Sequence, residues 1–337
     1  MKKLGIYIHI PFCLKKCKYC DFVSFQNKNK KLIERYILAL IKTIDNVSER
    51  LDVNTIYIGG GTPSYIDEKY IVMILEKLKE KFNVIEDAEI TIEINPGTIN
   101  ESKIETYYKY GINRISIGLQ STKNEILKKI GRIHTFEKFL ETYEIVKKVG
   151  FNNINVDLML ALPNQDIKDI KESLTQIIKL NPSHISLYSL ILEEGTELEK
   201  EVNQGILNIP SEEIERQMYH TTKRILESNG YKHYEISNFA KENFESKHNL
   251  NCWNQEEYLG FNKRFSNIDN IEKFINNVED GKNNVIINEK QTKESKMKEY
   301  MMLGFRKIEG ISISEFERKF IINPLFYFRF EISKLEK

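Results

Sequence analysis

The chain has 337 residues, enough for one large domain and a smaller one. Its 50 lysines and arginines balance 49 acidic residues, so no excess of charge argues for nucleic acid as a partner. No stretch is apolar over the length that spans a bilayer, so at most peripheral membrane contact is expected, in a cytoplasmic protein. The apolar run after Met1-Lys2-Lys3 is short, alternates, and is broken by His9 and Pro11, so it reads as a buried strand and not as a leader.

In chain order, a strand is predicted over 4–9 and helical periodicity over 32–46. A strand over 55–58 precedes a helix over 68–82, and a strand over 88–94 precedes a helix over 101–110. The strand over 114–118 is followed by helices over 124–130 and 136–149. A strand over 154–160 leads to a helix over 167–180, and a sixth strand covers 184–188. A helix over 211–228 follows, with Ser211 as its N-cap. Repeated β–α units imply a parallel sheet closed or nearly closed around a core. Six units fall short of the eight of a complete barrel, so the expected fold is α/β, a partial (β/α)6 TIM-like barrel over 1–238. From 239 to 337 the texture changes. A polar, asparagine-rich stretch gives way to helical periodicity and the run Phe326-Tyr327-Phe328-Arg329-Phe330. This part is expected to be a smaller, mostly helical C-terminal domain.

Four cysteines are present, and three of them form Cys13-x3-Cys17-x2-Cys20. Disulfide frameworks spread cysteines along a chain, whereas such clustering points to metal. Three thiolates from one loop can hold an iron–sulfur cubane with one iron left open. They can also hold zinc with a histidine as the fourth ligand, and His9 is nearby. A histidine just before a metal loop is more often a core or supporting group, and His9 is read that way. Gly59-Gly60-Gly61-Thr62-Pro63 follows the second strand; on its own it is a tight βα turn. Glu93, Gln120, Arg132 and Asp157 lie at or just beyond later strands. The C-terminal strand ends of a βα barrel converge on one mouth, which groups these side chains with the cysteine loop.

Tyr7-Ile8-His9-Ile10-Pro11-Phe12-Cys13, continuing to Tyr19-Cys20-Asp21-Phe22, resembles the radical S-adenosylmethionine superfamily. Within it the similarity is to oxygen-independent coproporphyrinogen III oxidases and to their relatives, the HemW-type heme chaperones. The resemblance implies that Cys13, Cys17 and Cys20 bind a [4Fe–4S] cluster whose open iron chelates S-adenosylmethionine. It implies further that Tyr7, Tyr19, Gly60, Gly61, Thr62, Glu93, Gln120, Arg132 and Asp157 contact S-adenosylmethionine. The oxidases carry a second such site, which some of these residues could serve instead.

Two features bear on the choice between these relatives. The oxidases usually have a fourth cysteine two residues after the third, where this chain has Phe22. His248-Asn249-Leu250-Asn251-Cys252-Trp253 is similar to the chaperone motif H-N-x-x-Y-W, with Cys252 in place of tyrosine. The resemblance makes heme the cargo, hemoproteins its acceptors and His248 the candidate heme ligand. The rival reading of His248 is a structural histidine at a domain junction, and Cys252 can be a small apolar filler. The alternatives to a chaperone are a coproporphyrinogen III oxidase and a zinc-binding structural protein. Relatives continue after the equivalent of Tyr258-Leu259-Gly260 with a glycine-rich stretch, so an internal deletion near 260 and a shortened end are expected. Lys15, Lys16 and Lys18 around the cysteine loop are expected to form a solvated face, or to dock an electron donor such as a flavodoxin.

Overall fold

The computed structural model describes residues 4–27, 29–48, 50–261, 270–282, 284 and 292–335. In chain order the elements begin with β1 (Leu4–Ile10), β2 (Phe12–Cys13), β3 (Phe25–Gln26), α1 (Lys30–Asp45), β4 (Asp52–Gly60) and α2 (Glu68–Lys81). Next come β5 (Asn83–Ile94), α3 (Glu101–Lys109), β6 (Arg114–Gln120), α4 (Asn124–Lys129), α5 (Phe136–Val149) and β7 (Asn153–Leu160). They are followed by α6 (Ile167–Leu180), β8 (His184–Ser189), α7 (Glu197–Asn203), α8 (Glu212–Ser228), β9 (Lys232–Glu235) and β10 (Asn238–Ala240). The chain ends in α9 (Lys247–Trp253), β11 (Tyr258–Phe261), α10 (Ile271–Glu279), α11 (Lys293–Gly304), α12 (Ile313–Phe320), α13 (Pro324–Tyr327) and α14 (Arg329–Leu335).

One sheet runs in the order β11-β1-β4-β5-β6-β7-β8-β10-β9. The six central strands are parallel, β11 joins β1 in parallel, and β10 and β9 are antiparallel additions at the other edge. This is the expected partial barrel, an arc with two edges and helices on its outer face.

The strands explain the arc. Ile6 and Ile8 of β1, Ile56 and Ile58 of β4, Ile90 and Ile92 of β5, Ile115 and Ile117 of β6, and Val156 and Leu158 of β7 are buried and belong to one hydrophobic core. That core also takes in Ile37, Leu40, Ile71, Leu75, Ile104 and Leu174 from α1, α2, α3 and α6. Side chains alternate along a strand, so the intervening residues face the inside of the arc. They are polar or aromatic: Tyr7 and His9, Thr55 and Tyr57, Thr91 and Glu93, Arg114 and Ser116, Asn155 and Asp157, His184 and Ser186. An apolar outer face packs the helices, and a polar inner face is left for chemistry.

The helix starts follow local capping rules. Asn29, Asp67, Asn100, Thr135 and Asp166 accept from backbone amides at the starts of α1, α2, α3, α5 and α6. Ser211 caps α8 as the sequence predicts.

The expected junction at 238/239 lies within β10. Two later segments return to the barrel. β11 pairs with β1, and α10 buries Ile271, Phe274, Ile275 and Val278 in the main core. Those positions recur at the i, i+3, i+4, i+7 spacing of one helix face. Arg35 of α1 holds Glu279 at 2.8 Å, and the Phe274 ring lies 5.7 Å from that of Tyr36. A separate cluster of Met297, Tyr300, Phe316, Phe320 and Phe328 is the core of the helical C-terminal part. The deletion expected near 260 falls on residues 262–269, outside the described residues. Among the described residues no helix is long and apolar enough to cross a membrane.

Candidate functional site

The cysteine loop leaves β1 at the C-terminal end of the strand. Cys13 ends β2, and Cys17 and Cys20 sit in the turns that follow. Backbone bonds hold this loop on three sides. Phe25 N–H donates to Pro11 O at 2.7 Å, Lys18 N–H to Ile130 O at 3.1 Å, and Leu198 N–H to Lys18 O at 3.0 Å. Each sulfur has its own polar neighbour. Thr62 Oγ1 donates to Cys13 Sγ at 3.5 Å, Arg132 Nη1 to Cys17 Sγ at 3.7 Å, and Ser24 Oγ lies 3.9 Å from Cys20 Sγ. Burial raises the pKa of the Cys13 and Cys20 thiols, so the metal-free loop favours neutral sulfur there.

The glycine turn closes over this loop. Gly61 N–H donates to Ile10 O at 2.8 Å and Thr62 N–H to Phe12 O at 2.9 Å. A Cβ at Gly61 would lie 2.9 Å from Cys13 Sγ, so only glycine lets the turn approach the thiol. Gly60 has φ +117°, a conformation that other residues rarely adopt. In that conformation its N–H reaches Glu93 Oε2 at 3.1 Å, while Tyr57 O–H reaches Glu93 Oε1 at 2.8 Å. Burial, aided by the Asp157 charge, pushes the Glu93 carboxyl up to about 7 against the pull of those two donors.

Arg132, in the turn after α4, is the hub of the mouth. Its Nη2 donates to Asn95 Oδ1 at 2.8 Å and also to Gly118 O, while Nη1 addresses Cys17. Asn95 donates in turn to Thr62 Oγ1 at 2.9 Å, which links the β4, β5 and β6 loop ends to the thiols. Gln120 ends β6 beside a bulge and holds φ +75°, an uncommon conformation for a side-chain-bearing residue. Asp157 accepts from Asn155 Nδ2 at 2.7 Å and Ser116 Oγ at 3.2 Å, and burial raises its pKa. Tyr7 stacks on Tyr57, with ring centroids 6.2 Å apart. Tyr19 packs against Leu127, Ile130, Met159 and Leu162. A narrow cleft of about 20 Å³ opens beside the cysteine loop, lined by Cys17, Thr62, Asn95, Arg132 and His134 among others. Burial and the Arg132 charge hold His134 down at about 3, so its imidazole is neutral there.

The predicted residues therefore gather at one mouth, with one exception. His248 lies at the opposite end, where α9 closes the floor of the arc. Its Nδ1 is 2.9 Å from Thr55 Oγ1 and its ring stacks on Tyr57 at 5.2 Å. Burial keeps this imidazole neutral, with its pKa lowered to about 4. Glu89 caps α9 from inside the arc, accepting from Lys247 N–H at 3.0 Å and His248 N–H at 3.1 Å. Cys252 is half-buried one turn further along α9.

His9 occupies a supporting position. Its Nε2 is 2.8 Å from Val23 O and its Nδ1 3.1 Å from Tyr7 O–H, so both ring nitrogens are engaged. The expectation of a solvated lysine face needs correction at Lys18. Its ammonium bonds Glu201 and lies 3.1 Å from Glu197, tying the cysteine loop to α7. Lys16 Nζ donates to Phe22 O at 3.2 Å.

Sequence reasoning passed over Tyr57, Asn95, His134, Arg114, Asn155 and His184. Except for His134, which lies in the loop between α4 and α5, their common signal is a polar or aromatic residue at alternate positions of an otherwise apolar strand, or just beyond its end.

An open parallel arc with a three-thiol loop at its mouth defines a class, and residues 7–177 match the Radical SAM superfamily. The chain is 38% identical over 328 residues to the heme chaperone HemW of Lactococcus lactis subsp. lactis (strain IL1403), covering 95% of this chain and 86% of that protein. It is 33% identical to the heme chaperone HemW of Bacillus subtilis (strain 168), covering 93% and 86%. It is 36% identical to the one of Escherichia coli (strain K12), covering 76% and 68%. In fold it matches coproporphyrinogen III oxidase (HemN) from Escherichia coli with a TM-score of 0.82 at 21% identity, covering 97% of this chain and 81% of that one. The chain belongs to the HemW family of radical SAM proteins.

The superfamily implies a [4Fe–4S] cluster and S-adenosylmethionine, and the residues present fit both. Three thiols share one loop, and the position two after Cys20 is Phe22, exposed and without donor chemistry. Among the described residues no three His, Cys, Asp or Glu side chains converge closely enough to hold a single metal ion.

Proposed function

We propose that this chain holds a [4Fe–4S] cluster on Cys13, Cys17 and Cys20, binds S-adenosylmethionine at the barrel mouth, and delivers heme to acceptor hemoproteins in the cytoplasm. The observation that carries this reading is the likeness to HemW proteins over nearly the whole chain. Phe22, standing where the oxidases have a cysteine, supports it. When bound, the cluster supplies one-electron chemistry toward S-adenosylmethionine.

The chain's own residues orient and shield. Arg132 presents a guanidinium beside Cys17, suited to a carboxylate. Glu93 and Asp157 present acceptors from the inner face, suited to ammonium and hydroxyl groups. Tyr7, Tyr19, Gln120 and the Gly60-Gly61-Thr62 turn complete the proposed S-adenosylmethionine contacts. In this reading 1–238 binds the cofactors and 239–337 handles heme. His248 is the proposed heme ligand. Thr55 engages Nδ1, and Nε2 makes no hydrogen bond among the described residues. The ring is neutral, as an iron ligand must be. A flavodoxin-like donor would meet the cysteine loop beside Lys15, because Lys16 and Lys18 are engaged within the chain. The zinc reading is disfavoured because its fourth ligand, His9, has both nitrogens occupied.

The test is transfer. Hemin-loaded protein, mixed with an apo-hemoprotein, should pass its Soret absorbance to the acceptor. With a reductant and S-adenosylmethionine under anaerobic conditions it should leave coproporphyrinogen III unchanged. Conversion of coproporphyrinogen III without heme transfer would favour the oxidase.

A further inference from the structure

Arg114 begins β6 on the inner face of the arc, opposite Thr91 of β5 and Asn153 of β7. It is 2% exposed, among the largest fully polar-headed side chains the fold buries. Its Nε has no hydrogen-bond partner, and the Arg114 side chain makes no hydrogen bond or ion pair among the described residues. A buried guanidinium whose hydrogen bonds are unfilled is costly, and native proteins rarely leave one so.

Three carboxylates share this interior, Glu93, Asp157 and Glu89, and each is engaged by other donors, Glu89 by the first amides of α9. Glu93 uses Oε1 for Tyr57 and Oε2 for Gly60 N–H. Asp157 uses Oδ1 for Asn155 and Oδ2 for Ser116. The Arg114 charge reaches Glu93 and Asp157 and pulls both carboxyls down, but no carboxylate lies within ion-pair distance of it among the described residues. The other groups near it cannot supply charge. His184 bonds Asn155 and Tyr234, at 2.6 and 2.8 Å, and His248 bonds Thr55. Burial and the Arg114 charge itself hold both imidazoles neutral. Arg132, the other inward guanidinium, lies at the mouth beside Asn95, Gly118 and Cys17.

We propose that Arg114 is the anchor for a carboxylate of the ligand carried inside the barrel, below the mouth. This rests on the heme-binding reading, and the carboxylate is then a propionate of the tetrapyrrole. A planar guanidinium pairs with a carboxylate in a two-bond fork, and a dry inner face strengthens that pair. The pairing gives the Arg114 guanidinium the close hydrogen-bond acceptors that the chain does not provide. It also separates the duties of the two guanidiniums, Arg132 facing the mouth and Arg114 the interior.

The experiment is hemin titration followed by the Soret band, with four arms: wild type, Arg114→Gln and Arg114→Lys with hemin, and wild type with hemin dimethyl ester. The reading predicts that Arg114→Gln and esterification each weaken binding about tenfold or more. Arg114→Lys should recover part of that loss, since it keeps the charge but not the fork. Circular dichroism and iron content report whether Arg114→Gln is folded. If it is not, the ester arm decides alone. Hemin bound equally well as acid and as ester by the wild type would overturn the inference and leave the functional reading standing. Absence of any hemin complex with the wild type would overturn both.

Discussion

The two ends of the barrel are built on different plans. At the mouth, polar side chains come from loops that follow β1, β4, β5 and β6. They are linked through Arg132, Asn95 and Thr62 to the cysteine sulfurs, and they line a narrow cleft. At the floor, α9 lies across the strand starts, and its first amides and His248 Nδ1 are satisfied by the barrel itself, while His248 Nε2 and Trp253 Nε1 have no partner among the described residues. Glu89 takes its first amides, Thr55 takes His248, and Asn251 reaches Asn54 at 3.2 Å. The mouth holds its groups ready for something outside the chain, whereas the floor closes the arc. Arg114 lies inside the arc and follows neither plan, which is why it calls for a ligand.

Titration separates the ends most strongly. Glu93 has its carboxyl raised to about 7, above its ordinary value, so the folded protein holds that proton more tightly than the unfolded chain. The resulting stability is present at low pH and is lost as pH rises from the ordinary carboxylate value through about 7. In metal-free protein, urea unfolding should show the wild type losing up to about 3 kcal/mol more than Glu93→Gln across that window. Equal pH profiles would mean that the mouth does not store this strain. At the floor the expected effect is smaller and independent of that titration. Glu89→Ala removes the acceptor at the α9 start and should cost about 2 kcal/mol. Hydrogen exchange should then speed up in α9 while the parallel strands stay protected. Uniform loss of protection would show that the floor and the sheet unfold as one unit.

Much of the barrel can be read from the sequence because its signals are local. Arg-Ile-Ser-Ile-Gly-Leu-Gln and Asn-Ile-Asn-Val-Asp-Leu alternate so clearly that strand, outer face and inner face follow together. The three cysteines and the glycine turn are equally local. Other features are not. β11 is four residues long, and its pairing with β1 joins segments some two hundred and fifty residues apart, so nothing nearby announces it. α7 is charged along most of its length and buries only Leu198, which leaves no apolar stripe to detect. Its tie to Lys18 is a tertiary contact, and a lysine beside a metal loop looks solvated until that partner is known. The floor position of His248 has the same cause. The motif marks the residue, but only the sheet shows that Thr55 and Tyr57 receive it.

The central claim is that the loop at the mouth holds a cubane with one open iron. Anaerobic reconstitution followed by metal and sulfide analysis and electron paramagnetic resonance tests it most directly. The account predicts iron and acid-labile sulfide in equal amounts, abolished in Cys13→Ala, Cys17→Ala and Cys20→Ala. It also predicts retention of the cluster in His9→Ala and a reduced-cluster signal that changes shape when S-adenosylmethionine is added. Zinc without sulfide, or a signal indifferent to S-adenosylmethionine, would contradict it.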